Sequence, residues 1–136
     1  MATSNADAAT MTQPVNFRLP GADGADGTAQ QVRPGTESLI GIDGLAATRE
    51  GRLIAVRNGV SPHAVIAIDL SADGLGVADM EILLRNHADF GEPTLVDVQD
   101  DRVFFVANAP WALWPEDGSG PTEAVPPTVI LEYDLD

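Results

Sequence analysis

From residue 42 onward, apolar positions come in short runs separated by polar clusters, and the runs are too short and too rich in Val, Ile and Leu to be helices. Segments 45–48, 52–57, 64–70 and 80–84 are predicted strands, punctuated by Glu50-Gly51, Ser61-Pro62 and Asp73-Gly74, each a turn-forming pair. Three more strands are predicted at 95–98, 102–107 and 129–135, and the head offers 15–19 and 30–33. The fold class expected is all-β.

The strands repeat. Residues 42–58 (IDGLAATREGRLIAVRN) laid over 92–108 (EPTLVDVQDDRVFFVAN) match Leu45 with Leu95, Arg52 with Arg102, Val56 with Val106 and Asn58 with Asn108, an offset of 50. Chance supplies about one identity in such a window, and repetition at this period marks propeller-like arrays. At the same offset Ala-Asp-Gly at 22–24 recurs at 72–74, while AVIAIDL (64–70) is answered by VILEYDL (129–135) at an offset of 65. One copy thus carries 15 extra residues in a loop, the difference between the two offsets.

Four strands make one propeller blade, so the expected architecture is a partial β-propeller of about two to three four-stranded antiparallel blades. Residues 1–14 are expected to be a ragged, disordered start and 15–136 the partial propeller. Within it, 15–35 would end one blade, 42–85 form a full blade, and 92–136 form the last, with a loop insertion at 109–128. A propeller is stable as a closed ring, so the remaining blades are expected from a longer chain or from self-association.

Charge narrows the partners. Twenty-one acidic residues against seven arginines give a formal net charge of −14, which repels nucleic acid and anionic membrane surfaces, and neither is expected as a partner. Surface carboxylates also suit hard cations, although an acidic surface serves solubility equally well. With no cysteine there is no disulfide, no thiolate zinc site and no thiol nucleophile, and the compartment is unknown. No apolar run approaches the ~20 residues of a membrane span, and the opening residues lack the basic and apolar regions of a secretory signal.

Candidate chemistry gathers at one end of the strands. In a four-stranded blade the lead-in to each first strand crosses one face of the ring and ends beside the axis, which is where Asp43 and Glu92 fall. Asn58 and Asn108 end the second strands on the same face, and His63 and His87 lie in its loops. Converging oxygen ligands would seat calcium or zinc, with magnesium or manganese as alternatives. Each residue also has a plain structural reading: Asp43 before glycine and the two asparagines as turn formers, Glu92 and the histidines as solvated loop residues. The 109–128 insertion carries Trp111 and Trp114, either to stack on a sugar-like ring or to pin the loop by packing.

GIDGLAATREGRLIAVRNG together with GEPTLVDVQDDRVFFVAN resembles the six-bladed propellers of the senescence marker protein, gluconolactonase and luciferin-regenerating enzyme family, over residues 36 to 136. The resemblance implies that Asp43, in its Asp-Gly-Leu segment, is a metal ligand beside a reacting lactone, and that Glu92 in Gly-Glu-Pro is a second ligand. In that family the glutamate lies in the opening blade and the asparagine ligand a blade before the aspartate. Glu92 departs from the first order, and Met1 falls after the second. The implied activity is metal-dependent opening of a sugar lactone, with Asp43 binding metal and helping to deprotonate water, and with Asn58, His63, His87, Asn108, Trp111 and Trp114 around the substrate. The rivals are a non-catalytic propeller that binds a ligand or protein through the same face, and a truncated fragment without activity of its own.

Overall fold

The computed structural model describes residues 15–17, 30–32 and 39–135 of the 136-residue chain. The expected ragged start at 1–14 lies outside the described residues. Strand β1 (Val15–Phe17) pairs antiparallel with β2 (Gln30–Val32). A four-stranded meander follows: β3 (Ile42–Ala47), β4 (Leu53–Arg57), β5 (Ala64–Leu70) and β6 (Val77–Arg85), each hydrogen-bonded to the next. The last sheet has β7 (Val96–Gln99), β8 (Arg102–Val106) and β9 (Ile130–Asp134), also in sequence order. A 3-10 turn at Trp111–Leu113 is the helical element among the described residues. The chain is all-β, built of antiparallel sheets.

The strands form where β-branched and aliphatic residues fill both faces of a pleat. In β4 and β5 consecutive residues are buried, Leu53 to Val56 and Ala64 to Ile68, so the four-stranded sheet is covered on both sides. One face holds Leu53, Ala55, Ala64, Ile66 and Ile68, with Leu39 beside them. The other holds Ile54, Val56, Val65 and Ala67, packed against Val103, Phe105 and Ala107 of the last sheet. At about 25 cal/mol per Å² of apolar area, such a seam is the main force joining the two sheets.

This packing is head to tail. Offset by 50, Ile54 and Val56 correspond to Phe104 and Val106, on the outer face of the last sheet, whereas Leu53 and Ala55 correspond to Val103 and Phe105, on its inner face. The front of one sheet therefore meets the back of the next. The sheets come closest at their first strands, where a Cβ added to Gly44 would lie 2.2 Å from the Thr94 carbonyl oxygen. Only glycine tolerates that approach.

Two strands start three residues earlier than the sequence pattern predicts, while β4, β5, β7, β8 and β9 agree with it to within one residue at each end. β3 starts at Ile42 rather than 45 because the polar lead-in pairs with Val56 and Arg57 across a bulge. β6 spans Val77–Arg85 rather than 80–84 because backbone pairing continues through Val77 and Asp79, opposite Leu70 and Asp69, where side-chain polarity gives no apolar signal.

Candidate functional site at the loop end of the sheets

The lead-in Gly41-Ile42-Asp43-Gly44 is shaped by its neighbours. Gly41, at φ 77°, sits against Gly59, and its carbonyl accepts the N–H groups of Asn58 and Gly59 at 2.9 and 3.0 Å. Pairing then jumps from Ile42 opposite Arg57 to Gly44 opposite Val56. Asp43 is the extra residue of a β-bulge, a device that redirects a side chain, and it is exposed. The last sheet has the same irregularity, for Thr94 N–H donates to Val106 and Val106 N–H donates to Leu95.

Asn58 fixes this corner. Its Nδ2 donates to Asp43 Oδ2 and to the Pro93 carbonyl, both at 2.8 Å. Both neighbours are acceptors, so the orientation of the amide is set by the network. One side chain thereby ties the bulge of the first sheet to the lead-in of the second. Among the described residues the Glu92 carboxylate makes no hydrogen bond or ion pair with this group; its backbone carbonyl accepts Ala109 N–H at 2.9 Å.

A hard divalent cation takes about six to eight oxygen ligands, or fewer with water. Among the described residues no group of three or more His, Cys, Asp or Glu is placed to hold a metal ion. Asp43 supplies one exposed carboxylate, which the Asn58 amide faces with its Nδ2 donor, short of a complete centre.

The histidines lie elsewhere at this end. His63 lines an open cleft of about 410 Å³ with Ser61, Pro62, Asn86, Phe90 and Gly91. His87 accepts the Asp89 N–H on Nδ1 at 3.2 Å, which puts the proton of a neutral ring on Nε2, and its ring tilts over Phe90 at 5.8 Å.

Asn108 shares its sequence position with Asn58 but has a different task. Its Nδ2 donates to the Pro127 carbonyl at 3.0 Å and its Oδ1 accepts Val129 N–H at 2.7 Å, so it clips the two ends of the 109–128 insertion together. Inside the insertion, Thr122 N–H donates to the Leu113 carbonyl at 2.9 Å. Trp111 and Trp114 are left 62% and 49% exposed. With Leu95, Val106, Asn108 and Thr128 they line a cleft of about 300 Å³ against the outer face of the last sheet. The structure thus brings Asn108, Trp111 and Trp114 together, brings Asp43 to Asn58, and leaves His63 in a separate cleft.

Sequence reasoning missed the floor of the tryptophan cleft. Leu95, 67% exposed, and Val106 look like interior strand residues in a linear pattern. The signal available was the offset of 50, which carries Val106 onto Val56 and so onto the face of a sheet that awaits a covering partner. Comparison with protein-family models, curated proteins and solved structures gives no match to this chain.

Proposed function

We propose that the four- and three-stranded sheets are consecutive blades of a β-propeller-type array, and that the chain is a non-catalytic module binding a small ring-shaped ligand in the tryptophan cleft. Head-to-tail packing and convergence at the first strands support the blade reading. The observation that carries the ligand reading is the exposure of both tryptophans beside the equally exposed Leu95. Tryptophan buries a large area when it packs, so two left half-exposed over an apolar floor have a surface ready for an apolar ring face. Sugars and their lactones have such faces, edged by hydroxyls that the hydroxyl of the exposed Thr128 suits.

Intrinsic fluorescence tests this directly, because the chain has two tryptophans and both are in the cleft. Titration with a panel of monosaccharides and sugar lactones is expected to shift the emission saturably, and Trp111→Ala or Trp114→Ala to abolish the binding. An unchanged spectrum across the panel would overturn the ligand reading.

The second reading is the metal-dependent lactonase implied by the resemblance. Its support is the exposed Asp43 carboxylate, held by Asn58 at a bulge beside the seam. It requires further oxygen donors from outside the described residues. Calorimetric titration with calcium and zinc, with Asp43→Ala as control, together with lactone turnover, separates the two readings: saturable metal binding lost in the variant favours the hydrolase, and its absence favours the binding module.

A further inference from the structure

Arg57 ends β4 on the back face of the four-stranded sheet, the face of Leu53 and Ala55. It lies directly opposite Ala64, and Ala64 lies directly opposite Arg85 on its other side. Residues opposite one another across strands project to the same face. Arg57 and Arg85 therefore flank a fully buried alanine on one face, two strands and about 10 Å apart.

Neither arginine has a carboxylate partner among the described residues, whereas Arg49 and Arg102 each have one and Arg52 has two. Shortage of acids does not explain this, because most of the chain's 21 acidic residues lie among the described ones. Arg57 is moreover no ordinary surface arginine. Among the described residues its Nε, like that of Arg52, is buried without a hydrogen bond, but Arg52 Nε has Asp69 Oδ1 3.3 Å away and Arg57 has no carboxylate; the counterpart of Arg57 at the offset of 50 is Ala107, a fully buried member of the seam. The sheet thus carries a cation where its own repeat puts a core alanine, next to a second unpaired cation of the same sign. A buried unpaired donor and a like-charge neighbour both destabilise, unless an anion bridges them.

We propose that Arg57 and Arg85 form an oxyanion site whose ligand presents a carboxylate or phosphate group. The planar guanidinium fork matches either group in two parallel hydrogen bonds, and the small Ala64 leaves the room between them. The site is independent of the tryptophan cleft, which lies against the last sheet.

The test follows the arginine Nε–H signals of the full chain by NMR while titrating inorganic phosphate and, separately, succinate, against chloride at equal ionic strength. Saturable shifts confined to Arg57 and Arg85 are expected with at least one of the two. Binding should weaken about tenfold or more in Arg85→Gln, an exposed position where folding is not at stake, as one lost charge-assisted contact implies. Arg57→Lys, which keeps the charge and loses the fork, should weaken it as well. Response to one anion alone names the ligand chemistry; equal shifts at Arg49 and Arg102, or no saturable shift with either anion, would overturn the proposal.

Discussion

Replacing Gly44 with alanine places a methyl group 2.2 Å from the Thr94 carbonyl oxygen and 3.1 Å from both the Thr94 carbonyl carbon and Leu95 Cα. All three obstacles are backbone, so no side chain can swing aside. Relief requires the first strands of the two sheets to part by about 1 Å, since close-packed interiors have no slack to absorb it. Overpacking of this kind costs about 1–3 kcal/mol, and a rigid obstacle puts Gly44→Ala at the upper end. Parting the strands also stretches the 2.8 Å hydrogen bond from Asn58 to the Pro93 carbonyl, which adds about 1 kcal/mol. The expected loss is about 3–4 kcal/mol, a large share of the ~5–15 kcal/mol that holds a domain together.

Urea unfolding monitored by circular dichroism measures it. With a slope of about 1–3 kcal/mol per M, the midpoint should fall by roughly 1–4 M. Gly120→Ala is the control, because an added Cβ there meets nothing within 4 Å, and it should stay within about 0.5 kcal/mol of the parent. Combining Gly44→Ala with Asn58→Ala should cost less than the sum of the two, because the first change already weakens the bond the second removes. A loss below about 1 kcal/mol in Gly44→Ala, or strict additivity in the double variant, would refute the close approach of the sheets as the reason for this glycine.

Asn58→Leu removes both donors of the corner and should destabilise the fold by about 1–3 kcal/mol in the same urea assay, whereas Asn58→Asp should cost more at neutral pH than at pH 3, because a second carboxylate then faces Asp43 and the Pro93 carbonyl. Trp111→Ala and Trp114→Ala should leave the unfolding midpoint nearly unchanged, within about 0.5 kcal/mol, since neither ring is buried. The Asp117 carboxyl, held by hydrogen bonds from the Ser119 side chain and backbone N–H, should titrate below the ordinary aspartate value by NMR. A lowered carboxylate stabilises the loop above its unfolded pKa and loses that contribution as pH falls through the folded value, so Ser119→Gly should raise the titration midpoint.

The meander was legible in the sequence because its signals are local: aliphatic runs for β4 and β5, turn pairs between them, and an offset of 50 for the next hairpin. The bulge at Asp43 was not, because it depends on where a second sheet's backbone passes. The sequence shows an Asp-Gly-Leu segment; the reason for its glycine is a carbonyl 50 residues away in the chain, at Thr94. Asn58 and Asn108 make the same point. They are identical at the offset, yet one bridges two sheets through Pro93 and the other clips a loop through Pro127. Identity at a repeat position transmits the strand end on which a residue sits. It does not transmit the partner, because lead-in and insertion differ between the copies.

The outer face of the last sheet bears on what the tryptophan cleft is for. By the repeat, this is the face that in the first sheet receives a neighbour, so its exposed apolar row could serve a further sheet instead of a ligand. The residues argue against that use. Leu95, Val106 and Ile130 form one apolar row at the loop end, but the rest of the face carries Asp97, Arg102, Glu132 and Asp134. Arg102 pairs with Glu132 at 3.0 Å and covers the Phe104 ring at 5.4 Å, with the two charged side chains 54% and 48% exposed. Arg102 and Asp134 correspond to Arg52 and Asp69, which stay 28% and 43% exposed beside the sheet seated on Ile54 and Val56, but Glu132 stands where the first sheet has the fully buried Ala67, so an equally close sheet here would strip water from its carboxylate at several kcal/mol. A ligand the size of a sugar ring would meet only the apolar row and the two tryptophans, leaving the charged part of the face in water. The division of the face into an apolar end under the tryptophan loop and a solvated remainder therefore favours a small ligand over another blade as the occupant of the cleft.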